Sequence, residues 1–122
     1  MKLKSFAPDK IFELLAPGIL FSIWAVTIVS YANLPETIPM HYNAVGEVDG
    51  YGEKQNIWTL PILGTVLFLV LILLIKFLPN FPSIRNTSSV KQSLNVVRWM
   101  RYLKVVILLI FLLILLKIIW DA

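Results

Sequence analysis

The chain has 122 residues, 58% of them hydrophobic and 15% charged, with a net charge of +4 and no cysteine. Soluble domains usually carry about 45–50% apolar and about 25% charged residues, and a chain this short cannot hide so much apolar surface in its own core. An ordinary water-soluble globule is therefore excluded, as are disulfides and thiolate metal sites. The positive charges flank apolar runs with no basic–aromatic motif, which argues for orientation in a membrane and against nucleic acid.

Residues 1–10 form a tail with Lys2, Lys4 and Lys10 against Asp9. Residues 11–31 are the first apolar run, long enough at about 1.5 Å per residue to cross the roughly 30 Å hydrocarbon core. Glu13, near its start, is expected to reach the headgroups or pair with Lys10. Pro17-Gly18 predicts a kink, because proline removes a backbone donor. A cleaved signal peptide is the competing reading, with Ser30-Tyr31-Ala32 as the cleavage pattern. The run exceeds the roughly 7–15 residues of a signal core, which favours a retained span.

Residues 32–56 form a polar loop, and residues 57–78 are the second span. Pro61 falls in its first turn, where a missing N–H costs little. Trp58 anchors one end and Lys76 snorkels at the other, before Pro79 and Pro82 stop the helix. Residues 79–104 are a basic linker and helix start, carrying Arg85, Lys91, Arg98, Arg101 and Lys104 with no acidic residue. Residues 105–120 are the third span. Its helix is expected to begin near Ser89, since Ser89-Val90-Lys91-Gln92 fits a capping box. Asn86-Thr87-Ser88 matches a glycosylation sequon on the cytoplasmic side and is read as chance.

Basic flanks stay in the cytoplasm. The loop between the first two spans instead holds Glu36, Glu47, Asp49 and Glu53 against Lys54. The fold class that follows is an all-α membrane protein of the cytoplasmic membrane. It has three transmembrane helices, the N-terminus inside, the C-terminus outside, and a short ordered extracytoplasmic loop containing a small strand or hairpin.

Within that loop, Pro35 and Pro39 bias the chain toward extended backbone. Ile38, Met40 and Tyr42 alternate with Thr37, Pro39 and His41, a period of two that suggests a strand with one face packed down. Asn43-Ala44-Val45-Gly46 reads as a turn, Asp49-Gly50 as a second and Gly52 as a third. Val45, Val48 and Tyr51 are expected to close an apolar cluster over the helix ends. For His41, hydrogen bonding within its own loop, ligand or peptide binding, metal or catalytic work, and a pH switch near about pH 6–7 all stay open. One histidine without cysteine makes a poor zinc site, and Asn43, Glu47, Asp49 and Glu53 miss the calcium-loop spacing. No metal or other cofactor is expected. Lys54 either pairs with Asp49 or meets lipid phosphate.

The spacing Pro35, Ile38-Pro39, His41-Tyr42-Asn43, Gly46, Asp49-Gly50-Tyr51 and Lys54 resembles a bacterial and archaeal membrane domain of unknown function, number 1648 in its series. Its motif sits between two transmembrane helices. The match carries over to Pro35, Pro39, His41, Asn43, Gly46, Asp49, Gly50, Tyr51 and Lys54, and covers about half the chain. The domain is similar to the N-terminal part of SdpI-like immunity proteins, multi-span proteins that protect a producing cell from its own secreted toxin and sequester a cognate repressor. Those proteins carry a second membrane half beyond the three spans read here, so immunity is implied by analogy alone.

Two functions stand side by side. In the first, the loop binds a secreted peptide, a lipid or another membrane protein, and the helices hold that partner or form a homo-oligomer. In the second, a structural or regulatory subunit docks a cytoplasmic partner or anionic lipid through Lys91, Arg98 and Arg101, at about 1 kcal/mol per basic residue. Plain positive-inside anchoring explains those three residues as well. No nucleophile–base pair, phosphate loop or metal motif is present, so an enzyme is not expected. Only Glu13, Lys76 and Lys117 read as ionisable groups within spans, all near span ends.

Overall fold

A computed structural model describes residues 8–77 and 90–122. Three helices carry most of them: α1 over Pro8–Tyr31, α2 over Thr59–Phe77 and α3 over Val90–Asp121. The stretches Lys10–Tyr31, Lys54–Phe77 and Asn95–Asp121 are long and apolar enough to cross a membrane. Between 11% and 28% of each apolar window is buried inside the protein, so most of that surface needs a cover from outside the chain. Leu14, Phe21 and Ile28 on α1, Leu69 and Leu73 on α2, and Val106 and Leu113 on α3 all face outward. Exposing such surface to water costs about 25 cal/mol per Å², a cost that a lipid solvent removes. The pattern is that of a multi-pass membrane protein.

α3 packs against both other helices. Its inward stripe is Val97, Arg101, Lys104, Leu108, Phe111, Leu115 and Ile118, in alternating steps of four and three that keep one face together. α1 answers with Phe12, Ala16, Ile19, Ile23 and Thr27. α2 comes close because Gly64 has no side chain: a Cβ there would lie 3.4 Å from Phe111 and 3.6 Å from Leu108 and Leu20. Two buried or half-buried polar side chains between the helices have hydrogen-bond partners. Thr27 Oγ1 donates to the Ile23 carbonyl at 2.8 Å, and Trp24 Nε1 donates to Thr65 Oγ1 at 2.9 Å, tying α1 to α2.

α1 continues as helix through Pro17; the proline deletes one backbone bond without ending the helix. α3 begins directly after Ser89, while Ser89 itself, Leu78 and the Pro79–Ser88 linker lie outside the described residues. The part of α3 long and apolar enough to cross a membrane, Asn95–Asp121 among the described residues, includes Arg98, Arg101 and Lys104.

Between α1 and α2 the chain forms an antiparallel hairpin, β1 over Thr37–Tyr42 and β2 over Val48–Glu53, followed by a 3-10 helix over Lys54–Trp58. The register pairs Thr37 with Glu53, Ile38 with Gly52 and Pro39 with Tyr51, then shifts to His41 with Gly50 and Tyr42 with Val48. Met40 and Asp49 are thus the unmatched residues, one bulge on each strand. The bulge breaks the expected alternation. Ile38 and Pro39 are both buried while Met40 is exposed. Asp49-Gly50 and Gly52 lie inside β2 and make no turns. Val45 and Tyr51 stand 77% and 67% exposed, so the expected Val45–Val48–Tyr51 cluster does not form. Leu34, Ile38 and Ile57 form the buried base, with Tyr31, Tyr42 and Trp58 packed around them.

Candidate functional site

The hairpin turn is built by one asparagine and one glycine. Asn43 Oδ1 accepts from the backbone N–H of Val45 at 3.0 Å and of Glu47 at 2.9 Å. The Asn43 N–H donates to the Glu47 carbonyl at 2.8 Å, and Gly46 N–H donates to the Asn43 carbonyl at 3.0 Å. Gly46 has φ +86°, a left-handed conformation that side-chain-bearing residues rarely adopt. The turn is local chemistry, and both residues that make it belong to the motif.

The other motif residues divide into props and displayed groups. Pro39 is buried, and Pro35 follows the turn that ends α1, where Leu34 N–H donates to the Tyr31 carbonyl at 3.2 Å. Gly50 permits close strand approach, since a Cβ there would lie 3.1 Å from His41 Cβ. Gly52 does the same against Met40 Cγ at 2.7 Å and Asn56 Nδ2 at 2.9 Å. Lys54 places its ammonium 4.7 Å from the Tyr31 ring centroid. It does not pair with Asp49. The Asp49 partner is His41, through Nδ1 and Oδ1. The Asp49 side chain is 43% exposed and that of His41 73%, so this pair stands in solvent. Among the described residues no three histidine or carboxylate side chains gather as a metal site requires.

The hairpin is seated by a second contact. The Tyr42 hydroxyl is buried without a hydrogen bond of good geometry, next to Asp121 at the end of α3. Burial first, then the Asp121 carboxylate, push the phenol up to about 12. Lys117 completes the contact, with Nζ 3.1 Å from Asp121 Oδ2 and 4.9 Å from the Tyr42 ring centroid.

At the other end of the bundle lies an ionic cluster. Glu13 of α1 meets Arg101 Nε at 2.9 Å and Lys104 Nζ at 3.7 Å. Lys104 is 2% exposed and its ammonium also sits 5.4 Å from the Phe68 ring centroid of α2. Glu13 therefore pairs across to α3 rather than with Lys10. Arg101, read as part of a basic docking face, is turned inward. Arg98 is exposed at the backbone turn before it but has an interaction of its own, and the Lys91 side chain lies outside the described residues. Lys104 is the residue missed from sequence. The available signal was its place in the four-and-three stripe between Val97 and Leu108, which marks it as inward-facing despite its charge.

Comparison with known proteins bears on the motif. An uncharacterized protein from Archaeoglobus fulgidus is 26% identical over 98 residues, covering 71% of this chain and 54% of the relative. The chain thus spans about half the length of the curated relative it matches. No solved structure matches it. Residues 18–65, running from α1 through the hairpin into α2, match the family model of the domain of unknown function DUF1648, the family whose loop motif these residues resemble.

Proposed function

We propose that the protein is a multi-pass component of the cytoplasmic membrane that recognises a partner through its hairpin. The partner is a secreted peptide or another membrane protein, and the chain has no catalytic role. The observation that carries this reading is the contrast within the hairpin. Ile38, Pro39 and Ile57 hold it on the bundle, while His41, Asp49, Tyr51 and Val45 project from it. A mere cap would gain nothing from leaving a tyrosine and a valine exposed. The placement of charge supports an outward-facing hairpin, with the N-terminus inside and the C-terminus outside. Protection against a secreted toxin is the narrower form of the proposal and rests on the likeness to SdpI-like proteins.

The docking alternative through Lys91, Arg98 and Arg101 is weaker, because Glu13 already engages Arg101. Two measurements test the main reading. A single cysteine at Val45 reacts with an impermeant reagent in intact cells, whereas one at Lys10 does not. A photoreactive residue at Val45 cross-links the partner, and His41→Ala or Asp49→Ala abolishes both cross-linking and protection at an unchanged membrane level. Full partner cross-linking and protection in both variants would reduce the hairpin to a plain cap.

A further inference from the structure

The two edges of the hairpin are not equivalent. Lys54 N–H donates to the Glu36 carbonyl at 3.0 Å, which makes residues 36 and 54 a hydrogen-bonded pair. In an antiparallel ladder such pairs alternate with pairs whose backbone groups point away from each other. With Ile38 opposite Gly52, the next inward pair is fixed, and the outward residues are Thr37 and Pro39 on β1 and Tyr51 and Glu53 on β2. Pro39 has no N–H, so its pairing with Tyr51 requires the same phase.

The outer edge of β1 is thereby closed. Pro39 removes a donor from it and is buried, and α3 packs against this strand. The outer edge of β2 carries no proline, and among the described residues β1 alone pairs with it. Its Tyr51 and Glu53 retain both N–H and C=O. Around that edge the exposed side chains Glu47, Asp49 and Glu53 are acidic, and Tyr51 stands beside them.

We propose that a partner's extended segment bearing lysine or arginine adds to this edge as a third strand, antiparallel or parallel to β2. Backbone bonds to Tyr51 and Glu53 would supply the affinity, and the acidic side chains would select a basic sequence. A second copy of this chain is a poor occupant, since pairing β2 with β2 would bring like charges together. The inference rests on the hairpin-recognition reading and specifies how that recognition is made.

The test uses the full chain in phosphatidylcholine nanodiscs and a labelled seven-residue peptide of alternating lysine and valine, read by fluorescence anisotropy. Two N-methylated forms carry the methyl groups on the lysines or on the valines, each blocking one edge of the peptide. One form is expected to lose binding at least about tenfold while the other stays within about twofold. The glutamate–valine counterpart is expected not to bind. On the protein, Tyr51→Pro removes an edge donor and weakens binding about tenfold, and Tyr51→Phe, which keeps the backbone N–H, weakens it far less. Equal binding of both methylated forms, equal binding of the acidic peptide, or no binding of the lysine peptide overturns strand addition. If strand addition falls while His41→Ala still abolishes partner cross-linking, recognition by the hairpin stands and works through side chains. If the peptide binds edge-specifically while His41→Ala and Asp49→Ala leave cross-linking intact, the edge is real and the wider reading fails.

Discussion

The two ends of the bundle each hold an acid–base pairing, and they differ in what surrounds it. At the hairpin, His41 and Asp49 meet in solvent, where water and salt screen their attraction. At the far end, Glu13 meets Arg101 and a Lys104 that is almost wholly enclosed by three helices. The same kind of contact is therefore a displayed feature in one place and a structural commitment in the other. A buried charge with a partner is tolerated, whereas the same charge without one is strongly unfavourable.

That difference is most directly broken at Glu13. Glu13→Gln leaves Lys104 and Arg101 without their carboxylate. It should cost about 2–3 kcal/mol in a denaturant titration of the detergent-solubilised protein, below the ~3–5 kcal/mol of a fully enclosed pair because Glu13 is partly exposed. Lys104→Met should cost less than Glu13→Gln, since Arg101 still holds the carboxylate. The double variant should recover part of the Glu13→Gln loss. An additive double variant would mean that the three residues do not act together.

The next effect belongs to the hairpin backbone. Gly52→Ala forces a methyl against Met40 and Asn56, with an expected cost of about 1–2 kcal/mol. Hydrogen exchange at the hairpin amides should quicken while the α3 amides keep their protection. Matching changes in both regions would show the hairpin and bundle to be one cooperative unit.

Substituting His41 or Asp49 sharpens the comparison from the weak side. Each alanine variant should change stability by only about 0–1 kcal/mol, well below the Glu13 effect, while partner cross-linking is lost. A large stability loss would move this pair into the structural class.

The smallest effect at neutral pH is at Tyr42. Its phenol is held up to about 12, above the ordinary value near 10. The neutral form is thus favoured in the folded protein. The contribution is complete below about pH 10 and is lost as pH rises from there through about 12. Absorbance titration near the phenolate band should show a late step that Tyr42→Phe removes. Loosening of the hairpin between these pH values should follow the same step.

Much of the architecture was legible because it depends on neighbouring residues. Three long apolar runs declare three helices by length, and Asn43 with Gly46 declares the turn by side-chain oxygen and left-handed backbone. Within the motif from Pro35 to Lys54, composition and place in the fold part company. Asp49-Gly50 and Gly52 have the composition of turns but lie in a strand, because small residues also serve where a facing strand comes close. That need is visible only once His41 and Met40 stand opposite.

By itself the sequence determined where helices and the hairpin turn form, since hydrophobic length and local hydrogen bonding act over a few residues. Tertiary packing alone decided which charges are neighbours. Glu13 reaches Arg101 and Lys104, distant in the chain, because α1 and α3 share a face whose stripe runs through two basic residues. It likewise decided that Asp49 faces His41 while Lys54 turns to Tyr31, since the paired bulges and the seat of the hairpin on the helices set those directions.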